Sequence, residues 1–270
     1  MSAIDTLLDQ LEQMPVMSAV ALELVAGCDG DLTVTALAEY VGRDPGLAAR
    51  ILRVANSSFY GLPRQVSTIQ DAVVVLGIST VRNLALAASL SKAFRGVTND
   101  AFDYMAFWRR SMMVARYAAL LAAQTRQLAG TAYAAGLFHA IGEAVMALCL
   151  KEAYATLWKQ HSNRADLLRA EQAKFGFNHV EVGMAAARRW NFPEVIVNAI
   201  GYDEGICCEP FCAETALVYL AYRYVAREDR EADQDMELAC RRLGTDWVTL
   251  SRDFPEKSQI EAEVGMMLHG

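Results

Sequence analysis

The chain has 270 residues, of which 54% are hydrophobic, and a formal net charge of −7 with an isoelectric point near 5.2. This length suits one large domain or two joined subdomains, and the hydrophobic content excludes an intrinsically disordered chain. The acidic balance disfavours a nucleic-acid partner or an acidic membrane surface. No apolar run reaches the roughly 18 residues of a membrane span, and the N-terminal segment carries no basic side chain before Arg43. We therefore expect a cytoplasmic protein without a membrane partner.

The six cysteines are expected to be free thiols, as in other large cytoplasmic proteins. Three of them form a cluster, but the paired Cys-x-x-Cys motifs of a structural zinc site are absent. The sequence therefore predicts no metal and no other cofactor at these positions. The clustered cysteines are Cys207, Cys208 and Cys212, and the others are Cys28, Cys149 and Cys240.

Apolar residues follow helical periodicity through the N-terminal part of the chain. Helices are predicted over residues 18–26 and 34–41, after a first helix with one apolar face. Asp44 followed by Pro45 predicts the N-cap and first position of a further helix, which should end near Asn56. That helix should turn four residues inward, namely Leu47, Ile51, Leu52 and Ala55.

A loop is predicted at residues 57–66, because this segment contains glycine and proline. Ser67 and Gln70 then form a capping box, in which the serine side chain accepts from the amide three residues on. Gly77 should end this short helix. The next helix should begin at Ser79 and continue to about residue 94.

The C-terminal part of the chain has the same periodicity, and no segment alternates as a strand would. Asn178 and Glu181 form a second capping box, which places His179 in the first turn of a helix. The polar residues 96–100 are the best candidate for an internal boundary. The helices predicted here cover about residues 104–123, 131–150 with an interruption near Gly136–Gly142, 163–175, a helix that begins at 178, 193–200, 213–226 and 245–268, and an acidic stretch at 228–235 joins the last two. The sequence therefore predicts an all-α protein of roughly a dozen helices.

A polar ring lies within the longest apolar region, where Gly136–Gly142 has the sequence Gly-Leu-Phe-His-Ala-Ile-Gly. The ring belongs to His139. A histidine in such surroundings is either a core residue whose ring nitrogens bond to the backbone, or a metal ligand or proton carrier. The spacing alone favours the core residue, since a lone histidine carries little motif information.

Residues 14 to about 208 resemble the HDOD domain, the HD-related output domain of bacterial signalling proteins. Five segments of the N-terminal half occur in the family's order and spacing: Arg43–Leu47, Ile51–Ser57, Phe59–Gly61, Ile69–Val73 and Val81–Leu84. The resemblance implies an all-α, multi-helical HDOD architecture. It would consist of an N-terminal helical subdomain, residues 1–98, and an HD-like helical bundle with closing helices, residues 99–270.

The C-terminal half resembles the HD superfamily of metal-dependent phosphohydrolases, which are named for an adjacent His-Asp pair. In this chain Ala140 takes the place of the aspartate, and Arg110 takes the place of a histidine before Ser111. Of the ligand set that the resemblance implies, His139 and His179 remain. The resemblance therefore implies a degenerate metal site, in which Glu143, Asp103 or Asp203 could substitute only if the fold placed one of them there.

Two hypotheses follow from this degenerate site. In the first, which we favour, the chain is a non-enzymatic signalling module with no catalytic residue and no metal or other cofactor. It would bind a signalling protein partner or a small regulator such as a nucleotide second messenger, in an oligomeric state that the sequence leaves open. In the second, it is a metal-dependent phosphohydrolase or phosphodiesterase, which would need three or more ligands.

Two further hypotheses concern binding. Residues 36–53 resemble a helix-turn-helix in which Arg43, Arg50 and Arg53 could contact DNA phosphates, although the acidic net charge favours plain helix packing. Alternatively, a remnant pocket of Arg110, His139 and His179 could hold a phosphate or cyclic dinucleotide without cleaving it. The simpler interpretation of those three side chains is that they are packed or paired with neighbouring carboxylates.

Overall fold

A computed structural model of the chain describes residues 3–12, 24–25, 33–56, 65–94, 102–161, 164–202, 210–227 and 231–268. Within these ranges the regular structure is helical and contains no strand, which confirms the predicted fold class. Five helices are bounded in the N-terminal part: α1 (Ala3–Glu12), α2 (Val34–Gly42), α3 (Pro45–Ala55), α4 (Ile69–Leu76) and α5 (Ile78–Phe94).

The predicted start of α3 is confirmed, because Asp44 Oδ1 accepts hydrogen bonds from the amides of Gly46 and Leu47 at 3.0 and 3.1 Å. Its end is also where we expected it, at Asn56. The Asn56 side chain donates to Val66 O at 2.8 Å and accepts from Val66 N at 2.7 Å. This pair of hydrogen bonds joins the end of α3 to the segment that leads into α4. Most of the loop predicted between them lies outside the described residues.

Two details of this region differ from the prediction. The N-cap of α4 is Thr68 rather than Ser67, since Thr68 has an extended backbone and its hydroxyl accepts from Asp71 N at 3.0 Å. Leu52 is only half-buried, whereas Arg50 is 7% exposed. The buried face of α3 is thus rotated slightly from the face that the apolar residues predicted.

Ten helices are bounded in the remaining described residues. They are α6 (Tyr104–Gln124), α7 (Ala129–Phe138), α8 (Ile141–Gln160), α9 (Arg164–Phe175), α10 (His179–Arg189), α11 (Glu194–Ile200), α12 (Ala213–Ala226), α13 (Gln234–Arg242), α14 (Trp247–Ser251) and α15 (Lys257–Leu268). The backbone of α8 is kinked at Lys151, which has φ 47° and ψ −122°.

The single helix predicted over residues 245–268 is wrong. Asp246 caps the short helix α14 by accepting from Thr249 N at 2.9 Å, and α15 begins only after Pro255. The acidic stretch before them is not simply a linker either, because Asp233 caps α13 through Met236 N at 2.9 Å. Asp and Asn side chains compete for backbone amides in this way, so they start helices more readily than they continue them.

At the centre of the fold, α6 packs against α7, and both helices are buried along most of their lengths. Helix α12 packs against both of them. Gly136 allows the two helices to approach closely. A Cβ atom at that position would lie 2.7 Å from the Cα atom of Ala115, which is closer than real Cβ contacts come. The first glycine of the Gly136–Gly142 motif is therefore required by packing.

The two ends of the chain pack against distant parts of it. Helix α1 contacts α8 and α10, while α15 contacts α3 and α5 as well as α6. The boundary that we predicted at residues 96–100 lies outside the described residues, and the division into residues 1–98 and 99–270 stays a prediction.

By length and composition, one described segment could cross a membrane, namely Ala129–Gln160, which comprises α7 and α8. Yet 89% of its most apolar window is buried inside the protein, as in the central helices of a globular core. A helix that is apolar on all sides is expected wherever other helices surround it. This feature is therefore weak evidence for a membrane span.

Candidate functional site

His139 lies at the break between α7 and α8 and is fully buried. Its Nδ1 atom is 2.7 Å from the carbonyl oxygen of Gly136. Because a carbonyl can only accept, Nδ1 carries the proton and Nε2 is left as an acceptor. That Nε2 has no hydrogen-bond partner among the described residues. Burial, and next the positive charge of Arg110, lower the pKa of His139 to about 3, so the ring is neutral at physiological pH.

His179 lies in the first turn of α10, where the predicted capping box of Asn178 and Glu181 is confirmed. Its Nδ1 atom donates to the buried carboxylate of Glu171, at 2.7 Å from Oε2. The backbone amide of His179 donates to the same oxygen at 2.9 Å. The second ring nitrogen, Nε2, is buried and unpaired within the described part of the chain. A carboxylate that orients a histidine in this way is typical of metal sites.

Glu143, in the first turn of α8, joins two arginines. Arg110 Nη2 donates to its Oε2 at 2.6 Å, and Arg164 Nη1 donates to its Oε1 at 3.2 Å. The Glu143 side chain is 6% exposed, and those of Arg110 and Arg164 are 32% and 12% exposed. Burial alone would raise the pKa of Glu143, but the charges of Arg110, His179 and Arg164 outweigh it and lower the pKa to about 2. In turn, Glu143 raises the pKa of Arg110.

Gly142 explains how Glu143 comes next to both histidines. A Cβ atom at position 142 would lie 1.8 Å from the carbonyl oxygen of His179, so only glycine permits this approach. The start of α8 is thereby pressed against the start of α10. The second glycine of the motif thus brings the two histidine-bearing segments together.

Aromatic rings surround the guanidinium of Arg164. Its Cζ atom lies 4.6 Å from the ring centroid of Tyr202 and 5.9 Å from that of Tyr222. The His139 ring contacts the same two tyrosines, at centroid distances of 5.5 and 5.7 Å. A cation over a tyrosine face is attracted by the ring quadrupole, more strongly where water is excluded. Arg164 is therefore held by a carboxylate on one side and by aromatic faces on the other.

The structure brings together the three residues that the sequence analysis singled out, Arg110, His139 and His179, around the carboxylate of Glu143. We call this group, with Arg164 and Glu171, the buried ionic cluster. Sequence reasoning missed Arg164 and Glu171 because no motif or spacing marks them. Of the carboxylates considered as substitute ligands, Asp103 caps α6 through Ala106 N at 2.9 Å, and Asp203 lies outside the described residues.

The helix-turn-helix hypothesis fails at one of its three arginines. Arg50 is 7% exposed, and its Nε atom donates to Gly46 O at 3.4 Å within α3. Arg43 and Arg53 are exposed, and Arg43 lies over the ring of Tyr40 at 5.1 Å. Two exposed arginines on an acidic chain do not make the basic stripe that DNA binding requires.

Comparison with known proteins identifies the family. The HDOD domain family model matches residues 14–206, which is most of the chain. The chain belongs to the HDOD domain family. The match agrees with the limits that we inferred from the motifs, and it covers α2 to α5 and the buried ionic cluster.

Solved structures of HDOD-like proteins resemble this chain over nearly its whole length. A Geobacter sulfurreducens HDOD domain protein of unknown function is 25% identical, with a TM-score of 0.80 and 97% of each chain covered. A candidate phosphohydrolase from Shewanella amazonensis SB2B is 27% identical, with a TM-score of 0.78 and the same coverage. A candidate signal transduction protein from Marinobacter aquaeolei VT8 is 25% identical with a TM-score of 0.75, covering 96% of this chain and 61% of that one.

A curated relative is longer than this chain. The uncharacterized protein of Treponema pallidum (strain Nichols) is 24% identical over 204 residues, which are 73% of this chain and 39% of that protein. This chain thus spans about two fifths of the length of that relative.

The kinship of the HDOD family with HD phosphohydrolases implies a metal, and the residues present do not fit one. Two imidazole nitrogens are available, but Ala140 offers no donor and Arg110 is a permanent cation. Of the carboxylates in the cluster, Glu143 is already bonded to two guanidinium groups and Glu171 to Nδ1 of His179. Within the described ranges, no group of three or more His, Cys, Asp or Glu side chains is placed to hold a metal ion. A divalent ion normally needs at least three such ligands.

Proposed function

We propose that this HDOD protein is a non-enzymatic signalling module of the bacterial cytoplasm that acts by binding a protein partner or a small regulator. One observation carries the proposal: Glu143, a carboxylate that could replace the aspartate missing at position 140, is already bonded to Arg110 and Arg164. The buried ionic cluster is then a structural element of the fold.

Electrostatics supports this assignment. A divalent cation next to the two imidazoles would lie near two guanidinium groups that cannot lose their protons. The repulsion is strong because Glu143 and both histidines are almost fully buried, where water screens charge poorly. The pKa of His139 is lowered first by burial and next by the charge of Arg110, to which Arg164 adds, so a further positive charge is opposed at that position.

The alternative use of the cluster as an anion site gains less support. The guanidinium groups of Arg110 and Arg164 are both paired with the carboxylate of Glu143, and the carboxylate of Glu171 is paired with His179, while His139 is neutral. A phosphate or cyclic dinucleotide would therefore compete with Glu143 for both guanidinium groups. We propose that a regulator, if it is a nucleotide, binds outside this cluster.

The resemblance to the candidate signal transduction protein of Marinobacter aquaeolei favours a signalling role. The resemblance to the candidate phosphohydrolase of Shewanella amazonensis keeps metal-dependent hydrolysis as the rival function. The two functions predict different metal contents for the purified protein, and metal content can be measured directly.

The deciding experiment is elemental analysis of the untagged protein together with turnover assays. Phosphomonoester, nucleotide and cyclic dinucleotide substrates would each be offered with manganese, iron, nickel and magnesium. We expect no stoichiometric metal and no turnover above that of the heat-inactivated protein. About one metal per chain, removable by a chelator with parallel loss of turnover, would establish the rival function and make His139 and His179 ligands.

Engineered variants sharpen the same test. Ala140→Asp alone should restore neither metal nor turnover, because Arg110 can pair with the new carboxylate. The double variant Ala140→Asp with Arg110→His adds two ligands and removes one of the two opposing charges. We expect it to take up metal more readily than either single variant, with the wild-type protein as the reference.

A further inference from the structure

A cavity of about 210 Å³ lies away from the buried ionic cluster, among α5, α6, α7 and α15. On α6 its wall begins at Met112, two residues after Arg110, which at 100° per residue lies about 200° around the helix axis, so the cavity lies on a different face of α6 from the cluster. Its walls come from both halves of the chain and from the last helix. The cavity therefore lies where a bound molecule would contact the parts of the fold that are most distant in sequence.

The walls are mainly apolar, with one polar region. The apolar side chains belong to Leu84, Met112, Leu120, Val264 and several alanines. Ser79 and Thr80, in the first turn of α5, contribute hydroxyl groups, and Ser79 and Ala123 are exposed. A concave, mostly apolar surface with a few polar groups at one end is the usual form of a small-molecule site.

Asn83 is the unexplained group of this cavity. It lines the wall and is 8% exposed, and its Oδ1 atom is buried without a hydrogen-bond partner within the described ranges. A buried polar atom left unpaired costs about 1–3 kcal/mol. Turning the amide by 180° exchanges its oxygen and its NH₂ group, so the group at this position still has no partner among the described residues. A ligand that both donates and accepts at one edge would satisfy it.

Charge and size restrict the ligand further. An ion pair on the wall joins Arg116 Nε to Glu263 Oε2 at 3.3 Å, and the Glu263 side chain is 3% exposed. A charged ligand would lose hydration without gaining an unpaired opposite charge. A cavity of about 150 Å³ accommodates benzene, so this one accommodates a molecule of roughly eight to ten non-hydrogen atoms.

We propose that this cavity binds a small neutral molecule in which a flat apolar ring carries an amide-like edge, with Asn83 as its hydrogen-bond partner. The ring lies against Leu84, Met112 and Val264, and the edge faces Asn83 and the hydroxyls of α5. This site is independent of the buried ionic cluster, so its failure would leave the proposed function untouched.

Three flat probes of equal size and different charge test the proposal: benzamide, benzoate and benzamidinium. Dissociation constants would be measured by saturation-transfer NMR titration of the full chain. We expect benzamide to bind about tenfold more tightly than either ion. Equal binding of the three probes, or no binding of benzamide up to its solubility limit, would overturn the proposal.

Two variants locate the site. Asn83→Leu removes the amide at similar volume and should weaken benzamide binding about tenfold, whereas Asn198→Leu, at an exposed position of α11, should not change it. Ala123→Phe fills the exposed mouth and should abolish binding, whereas Ala153→Phe, exposed on α8, should not. If Asn83→Leu fails to fold, the comparison of Ala123→Phe with Ala153→Phe shows whether benzamide binds in this cavity. Unchanged benzamide affinity in folded Asn83→Leu or in Ala123→Phe contradicts the assignment.

Discussion

From the low pKa of His139 we predict how the free energy of unfolding depends on pH. In the unfolded chain a histidine has a pKa near 6.5, whereas in the fold His139 has a pKa of about 3. At pH values between 3 and 6.5, the unfolded state binds a proton at this histidine and the folded state does not. The stability contributed by neutral His139 is therefore fully present above pH 6.5 and is lost as the pH falls towards 3.

The size of the effect follows from linkage. Each pH unit below 6.5 costs about 1.4 kcal/mol, so His139 alone should lower the free energy of unfolding by about 2 kcal/mol between pH 7 and pH 5. This window lies above the titration of Glu143, whose stabilising charge is lost only as the pH falls from about 4.5 towards 2. Two kcal/mol is a substantial part of the 5–15 kcal/mol that typically separates folded from unfolded proteins.

The assay is urea unfolding at pH 7, 6 and 5 for the wild-type protein and His139→Asn. Asparagine can keep the hydrogen bond to Gly136 O but cannot take up a proton, so its free energy of unfolding should fall about 2 kcal/mol less over this range. His161→Asn, at the partly exposed end of α8, controls for loss of a histidine outside the cluster. If the His139→Asn and wild-type curves were parallel, His139 would not be the group that titrates.

Two further predictions test the packing of the cluster. Glu143→Gln leaves Arg110 and Arg164 without their shared carboxylate and should lower the free energy of unfolding by about 3 kcal/mol. The measurement is urea titration at pH 7, where a loss below about 1 kcal/mol would mean that the ion pairs contribute little. Gly142→Ala places a Cβ atom against the carbonyl of His179 and should lower the free energy of unfolding by about 3 kcal/mol or more. Gly265→Ala, in α15 with open space around it, should leave that free energy unchanged or raise it. Equal urea midpoints for the two alanine variants would contradict the close approach at Gly142.

Local signals in the sequence were sufficient for much of the fold. Asp44 and Asn178 begin helices because their side chains accept amide hydrogen bonds, a property that does not depend on the rest of the protein. The failure over residues 245–268 also has a local cause. Asp246 and Pro255 are both signals for a helix start or break, and the prediction of one helix across them did not use either signal.

The candidate site could be predicted only in part. The motif identified His139, and a capping box placed His179 in a first turn, so both histidines were found. Arg164 and Glu171 were not, because their roles arise from tertiary contacts with residues 21 and 8 positions away in the chain. A long side chain that pairs across helices leaves no periodic pattern, and its partner is decided only when the helices pack.

The arrangement of charge also explains why two histidines can remain in a site that lacks the other metal ligands. A buried imidazole is tolerated when one of its ring nitrogens is hydrogen-bonded, as in both His139 and His179, and His139 is in addition neutral. Glu143, a buried carboxylate, needs positive charge nearby, and the guanidinium groups of Arg110 and Arg164 supply it in fixed positions. A metal could be removed by a chelator, but these charges belong to the chain. The stability of the cluster should therefore be independent of chelator, and a melting temperature that fell on adding one would show that a metal ion, rather than the arginines, balances Glu143.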